Sequence, residues 1–130
     1  NVILHGKNEK SLDEIYDEII QKFNTNPVIV KCDLNDLDES KAQEFANAIQ
    51  GSYERLDGII NNAAIIGKMS TLADYDLATW QKVININVTS SHVLTKYLVP
   101  LMEGSKNPRI IFTSSGVAEK GRAYWGAYAC

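Results

Sequence analysis

Short β-branched runs alternate with amphipathic stretches along the whole chain. Four runs, at residues 2–4, 28–34, 58–60 and 109–113, are typical of buried strands. Between them, apolar residues recur at helical spacing within residues 12–23, 42–49 and 77–102. Such alternation predicts parallel strands joined by crossover helices. We therefore expect an α/β fold, a doubly wound parallel sheet with three α/β/α layers.

The boundaries of these elements are predicted from capping and breaker residues. Ser11 is the predicted N-cap of the first helix, with Glu14 as its capping-box partner. Asp38 opens the second helix, and the third is expected to run unbroken from about Leu77 to Met102. The polar, glycine-rich residues 114–126 are predicted to form a loop.

Composition narrows the functional classes. The 130 residues fit one domain, and 13 basic against 16 acidic side chains give a net charge of −3. This balance favours neither nucleic acid nor an anionic membrane surface as a partner, and no apolar run is long enough to span a bilayer. The two cysteines form neither a metal-ligand pair nor a disulfide framework, so a reduced, cytoplasmic setting is expected. Both ends fall within predicted elements, so we expect truncation at both.

Polar or small residues follow each predicted strand. In doubly wound sheets, ligands bind beyond the carboxyl ends of the strands. The residues at those positions are Gly6–Asn8, Asp33–Leu34, Asn61–Ala64 and Thr113–Ser115. Their clustering predicts a ligand site at this edge of the sheet.

Three side chains could carry chemistry there. Ser115 is placed to donate a hydrogen bond to a substrate oxygen, and Tyr128, thirteen residues later, to exchange a proton. Asn87 puts an amide on the apolar stripe of the long helix, where it needs partners. Taken singly, each also fits a structural role: Ser115 as a cap, Tyr128 in the core, and Asn87 bonded to a neighbouring carbonyl.

The order of these motifs is more specific than any one of them. Asn61-Asn62-Ala63, the helix residue Asn87, Thr113-Ser114-Ser115 and Trp125-Gly126-Ala127-Tyr128 occur in succession. This pattern resembles the classical short-chain dehydrogenase/reductase family, and within it a bacterial oxidoreductase subgroup. The resemblance implies that residues 1–130 are the central part of a single Rossmann-like, NAD(P)-binding domain.

The resemblance also implies roles for individual residues. Tyr128 would be the general acid/base, Ser115 would hold the substrate oxygen, and Asn87 would anchor a water in a proton relay. The substrate would be a carbonyl compound or secondary alcohol. Cofactor contacts would come from five residues, namely Lys7, Asp33, Leu34, Asn62 and Ala63. Lys7 at the specificity position favours NADP, with NAD as the alternative. No metal is implied, and relatives suggest a homodimer or homotetramer.

Three departures from the family pattern qualify this picture. The family's Lys, four residues after the Tyr, would fall beyond Cys130, and a phenol needs such a charge to give up its proton near neutral pH. The chain contains no G-x-G-x-x-G, and the family's first strand, which lies between the strands at 2–4 and 58–60, is absent with it. Ala64 replaces the usual Gly. We therefore expect the isolated chain to be inactive, to fold poorly and to bind cofactor weakly.

Two other interpretations remain open. The first is a non-catalytic binding or scaffold protein that keeps the fold. The second is a different doubly wound enzyme, such as a nucleotide-sugar epimerase, although the Asn-Asn-Ala strand end and Asn87 fit it less well.

Overall fold

The computed structural model describes residues 1–130, and its contacts divide the chain into two compact units. The N-terminal unit is Asn1–Leu37 and the C-terminal unit is Asp38–Cys130. In chain order the strands and α-helices are β1 (Ile3–Gly6), α1 (Glu9–Phe23), β2 (Val28–Lys31), α2 (Glu39–Ser52), β3 (Gly58–Asn61), α3 (Leu77–Ile84), α4 (Ser90–Leu98), β4 (Arg109–Phe112) and α5 (Gly116–Glu119).

The N-terminal unit is a strand–helix–strand crossover. β1 and β2 pair in parallel, with Ile3 opposite Val28 and Gly6 opposite Lys31. The chain reverses through α1, whose Leu12 is buried. The predicted N-cap at Ser11 is wrong. The helix α1 begins at Glu9, and its N-cap is Asn8, whose side chain accepts from the Ser11 N–H at 3.1 Å. Asn8 is extended and supplies a side-chain acceptor, as an N-cap must.

The second strand is shorter than predicted. It ends at Lys31 rather than at Leu34, and a single 3₁₀ turn covers Leu34–Asp36. Asp33 is itself still extended, and its carboxylate caps the turn by accepting from the Asn35 N–H at 2.9 Å.

In the C-terminal unit, α2 forms as predicted. Asp38 caps it by accepting from the Lys41 N–H at 2.8 Å. Its predicted apolar face is buried in full, and consists of Ala42, Phe45, Ala46 and Ile49. This face packs against α4. The prediction of both the cap and the face is confirmed.

β3 and β4 pair in parallel, with Ile59 opposite Ile110 and Ile60 opposite Ile111. Ile59 is buried, whereas Ile60 remains 69% exposed and Ile111 52% exposed. Residues that alternate along a strand point to opposite faces. The face that carries Ile59 is therefore covered at β3 only, because all four residues of β4 are exposed, and the face that carries Ile60 and Ile111 is open.

The predicted long helix spans 77–102 but is not uniform. A π-turn at Asn85–Thr89 separates α3 from α4, and a 3₁₀ turn at Val99–Met102 follows. Residues 114–126, predicted to be loop, contain α5. This short helix forms because Ser115 is extended at its N-cap position and Val117, in its first turn, is buried.

β1 hydrogen-bonds only to β2, and β3 only to β4. This is the pairing expected when the strand that lies between β1 and β3 in the family order is not in the chain. The parallel pairs and crossover helices confirm the predicted fold class. No helix is both long and apolar enough to cross a membrane.

Candidate active site

The carboxyl ends of β3 and β4 lie level with each other. Asn61 stands opposite Phe112, and the Thr113 N–H donates to the Asn61 carbonyl at 2.9 Å. The Asn61 amide in turn donates to Thr95 Oγ1 on α4 at 3.2 Å. Since parallel strands end at one edge of their sheet, the residues after Asn61 and after Phe112 emerge side by side.

Asn87 fastens the loop after β3 to the helix. Its Oδ1 accepts from the Ile65 N–H and its Nδ2 donates to the Ile65 carbonyl, both at 2.9 Å. Asn87 is the middle residue of the π-turn, a helical irregularity that is frequent at functional sites. Its amide is thus committed to the backbone of Ile65. The water-anchoring role implied by the resemblance stays a prediction.

Ser115 stands directly before α5 without serving as its side-chain cap. No capping hydrogen bond to its side chain is present, and only its carbonyl is used, by the Ala118 N–H at 2.9 Å. The residue is half-buried. The structural alternative of a capping serine therefore does not apply, and the hydroxyl is available to a ligand.

Tyr128 lies on the single 3₁₀ turn Gly126–Ala129 and is half-buried. Its ring packs at a tilt on Trp125, with centroids 5.7 Å apart. It also lines an open pocket, so it is not sealed in a core.

That pocket brings together five of the eight predicted site residues: Asn62, Ala63, Asn87, Ser115 and Tyr128. Its volume is about 190 Å³, below the roughly 300 Å³ at the low end for ligand sites, so it offers room for one ring system rather than a whole cofactor. Its lining contains no charged side chain. Binding there must depend on hydroxyls, amides and small apolar groups.

Sequence reasoning missed two polar members of the lining, Ser91 and Cys130. Ser91 lies one helical turn after Asn87, a spacing that places both on the same face. Cys130 lies two residues after the predicted Tyr128. Ala64 lines it too and does not adopt positive φ, so its methyl group adds no backbone strain.

The other three predicted residues belong to the N-terminal unit. Lys7 is exposed directly after β1. Asp33 caps the 3₁₀ turn, and Leu34, the first residue of that turn, is buried. The nearby carboxylate of Glu9 is ion-paired with Lys31 at 2.9 Å, and hydrogen bonding and attraction from that ammonium lower the pKa of Glu9.

No group of three or more His, Cys, Asp or Glu side chains is placed to hold a metal ion.

Comparison with known proteins gives a consistent result. A family model described as short chain dehydrogenase matches residues 1–130. The oxidoreductase YciK of Escherichia coli (strain K12) is 36% identical over 128 residues, which are 98% of this chain and 51% of that protein.

Solved structures agree closely. A short-chain dehydrogenase from Shigella flexneri 2a str. 301 complexed with NADP superposes with a TM-score of 0.94 at 37% identity. The match covers 98% of this chain and 54% of that one. A second, from Escherichia coli CFT073 and complexed with NADPH, also gives 0.94 at 37% identity, covering 98% and 53%. This chain spans about half the length of the relatives it matches.

Proposed function

Because the chain belongs to the short-chain dehydrogenase family, we propose that it contributes the catalytic half-site of an NADP-dependent oxidoreductase acting on a carbonyl compound or secondary alcohol. The observation that carries the proposal is the convergence of Ser115, Tyr128 and Asn87 on one pocket. Residues 28 and 13 positions apart in sequence meet there, at the edge where doubly wound sheets bind ligands.

Each residue has a distinct part in this proposal. The Ser115 hydroxyl, free of capping duty, donates to the substrate oxygen. Tyr128 passes the phenolic proton to that oxygen during reduction and takes it back during oxidation. Asn87 holds the loop after β3 in place by its two hydrogen bonds to the backbone of Ile65. When bound, the nicotinamide supplies or accepts the hydride.

The pocket lining fits a nicotinamide. Ala63 and Ala64 present only methyl groups, so a flat ring can approach the backbone closely, and Asn62 offers an amide beside them. In the N-terminal unit, we propose that Lys7 binds the 2′-phosphate of NADP and that Asp33 and Leu34 border the adenine. Support comes from the charges after β1: Glu9 is engaged by Lys31, and Lys7 is the exposed cation directly after the strand. Two solved relatives are complexed with NADP or NADPH, which supports NADP as the cofactor.

Three expectations stay predictions. They are the cytoplasmic location inferred from the cysteines, the dimer or tetramer that the resemblance implies, and a single domain over residues 1–130.

The test is Tyr128→Phe, made in the whole enzyme to which this chain is proposed to contribute the half-site; the substitution keeps the ring and removes the proton. We expect kcat for NADPH-dependent reduction of model carbonyls, an α-diketone and an aromatic aldehyde, to fall by about 10²- to 10⁴-fold. The Kd of NADPH, followed by nicotinamide fluorescence, should stay within about twofold, since the phenol acts in the chemical step.

Tyr124→Phe is the matched control, because that ring is 58% exposed and does not line the pocket. Equal turnover by the two variants would refute the assignment of Tyr128. Binding of NADPH without turnover by the unmodified protein would favour the non-catalytic scaffold.

A further inference from the structure

Tyr75 lies in the loop between β3 and α3, and its side chain packs against the backbone of two glycines. A Cβ at Gly126 would stand 2.2 Å from Tyr75 Cε2, and a Cβ at Gly67 would stand 2.6 Å from both Tyr75 Oη and Val83 Cγ2. These distances are shorter than real Cβ atoms show. The Tyr75 ring therefore occupies the space that a side chain at 126 would need, whereas the Tyr75 hydroxyl and Val83 together occupy the space at 67.

Both glycines also have left-handed backbone conformations, with φ of +78° at Gly67 and +46° at Gly126. Residues with a Cβ adopt this region at a cost. Glycine is thus required twice over at each position, for the dihedral angle and for the closeness of its neighbours, which are the Tyr75 ring at 126 and Tyr75 Oη with Val83 at 67. A contact that requires glycine for both reasons holds the backbone at that glycine in one place.

Gly126 is the first residue of the turn that carries Tyr128. This one-turn 3₁₀ helix has no side-chain cap, and only short-range bonds, such as Tyr128 N–H to Trp125 O at 3.1 Å, support it. A single turn is a weak unit by itself. The direction of the Tyr128 side chain is therefore set by what the turn packs on, which is Tyr75, α3 and α5.

A second tie reinforces the same junction. The Ser70 N–H donates to the Tyr124 carbonyl at 3.2 Å, and Tyr124 itself has a φ of 72°. The loop that contains Tyr75 thus holds the segment before Tyr128 at two points, by a hydrogen bond at residue 124 and by ring packing at residue 126.

The Tyr75 ring is itself fixed. It meets Trp80 edge-on, with centroids 6.1 Å apart and planes at 89°. Its hydroxyl is buried and has no hydrogen-bonding partner. Since an unpaired buried hydroxyl disfavours the folded state, the ring and not the hydroxyl provides the stabilising contact.

We propose that Tyr75 is a positioning residue for Tyr128: its ring, packed on Gly126, fixes the turn that presents the phenol to the pocket. The inference rests on the proposed function, in which Tyr128 is the general acid/base. Tyr75 does not line the pocket and acts only through the turn.

The experiment compares Tyr75→Leu, Gly126→Ala and Tyr75→Phe in the full chain. Tyr53→Leu and Gly121→Ala are the matched controls, because Tyr53 does not line the pocket and nothing lies within 4 Å of a Cβ at Gly121. Three quantities are measured: amide hydrogen exchange in residues 121–130 and in α2, the Kd of NADPH, and kcat with the α-diketone.

For Tyr75→Leu and Gly126→Ala we expect faster exchange in residues 121–130 with α2 unchanged. The value of kcat should fall by about 10²-fold, the usual result of a misplacement near 1 Å, while the Kd of NADPH stays within about twofold. Tyr75→Phe should match the unmodified protein in all three quantities.

The proposal is overturned if Tyr75→Leu and Tyr53→Leu give the same exchange and the same kcat, or if Tyr75→Phe is as impaired as Tyr75→Leu. It is also overturned if Gly126→Ala leaves kcat and exchange unchanged. Failure of the proposed function looks different, because Tyr128→Phe would then retain kcat whatever the Tyr75 variants do.

Discussion

The two units hold their functional residues in different ways. In the N-terminal unit, Asn8 and Asp33 after β1 and β2 are held by near neighbours, Asn8 by Ser11 and Asp33 by Asn35, and the longer contact of Glu9 with Lys31 is an exposed ion pair. In the C-terminal unit, the corresponding contacts join residues far apart in sequence. Asn87 binds Ile65 across 22 positions, and Asn61 binds Thr95 across 34.

The difference matches what each unit is proposed to do. An exposed ammonium such as that of Lys7 attracts a phosphate over several ångströms and tolerates small displacements. Proton transfer requires heavy atoms within about 2.6–3.2 Å, so Ser115 and Tyr128 need a rigid surround. Substitutions in the N-terminal unit should therefore change cofactor affinity, and those in the C-terminal unit should change the rate.

Among the substitutions that test this comparison, Asn87→Ala is expected to have the largest effect, because it removes a contact between residues far apart in sequence. The substitution leaves the N–H and C=O of Ile65 without their partner. We expect a loss of about 2 kcal/mol in the free energy of unfolding and a fall of about 10²-fold in kcat. Urea unfolding and steady-state kinetics measure the two quantities.

Asn47→Ala is the control, because Asn47 is exposed on α2 and contacts only the neighbouring turn of its own helix through Gln43. A change below about 0.5 kcal/mol is expected there. If Asn87→Ala behaves like this control, the two hydrogen bonds between Asn87 and Ile65 do not organise the pocket.

Lys7→Glu tests the proposed role of the N-terminal unit, in which an exposed charge attracts the cofactor phosphate. Reversing the exposed charge should weaken NADPH binding about tenfold, leave NADH binding nearly unchanged, and leave kcat at saturating cofactor intact. Lys10→Glu provides an equal change of net charge on an exposed residue within α1. An equal loss for both variants would show a general field effect rather than recognition by Lys7.

A smaller effect separates the observed helix cap from the predicted one. Asn8→Ala removes the acceptor of the Ser11 N–H and should destabilise the fold by about 1 kcal/mol. Ser11→Ala should change the unfolding free energy by less than about 0.5 kcal/mol, because the Ser11 side chain is exposed on the first turn. A larger loss for Ser11→Ala, by urea unfolding, would restore Ser11 as the cap.

The smallest effect concerns the pH dependence of the N-terminal unit. Burial lowers the pKa of His5 on β1. Below about pH 6.5, the ordinary histidine value, the unfolded chain binds a proton that the folded chain resists. Stability should therefore fall as the pH decreases from 6.5 and level off below the lowered pKa.

Unfolding free energies of the unmodified protein and of His5→Gln between about pH 7.5 and 5 measure this effect. The variant should lose the dependence in this window, whereas His92→Gln, at an exposed site, should keep it. Carboxylates such as Glu39, whose pKa Lys96 lowers, act in a separate, more acidic window. An unchanged profile for His5→Gln would contradict the assignment.

The sequence alone determined most of the fold. The alternation of β-branched runs with amphipathic stretches predicted four parallel strands, and the Asp38 cap and the buried face of α2 followed from local spacing. These features depend on side chains within a few positions of each other, so the pattern is visible in the chain. The order of the Asn-Asn-Ala, Asn87, Ser115 and Tyr128 motifs also identified the family.

Local reasoning failed where two local acceptors compete or where the partner is distant. Ser11 and Asn8 both suit an N-cap, and only the backbone conformation of Asn8 decides between them. The π-turn at Asn85–Thr89 has no signature in hydrophobic spacing. Its middle residue, Asn87, binds Ile65, a partner that is distant in sequence. The packing of Tyr75 on Gly67 and Gly126 was equally invisible, since each glycine alone fits an ordinary turn.

Local propensity and periodicity thus determined which elements form and which residues reach the edge of the sheet. The tertiary structure alone decided how the side chains of those residues are oriented. Their orientation depends on contacts between atoms that are distant in sequence, such as a ring against a glycine backbone or an amide against a loop. Those contacts arise only once the chain has folded.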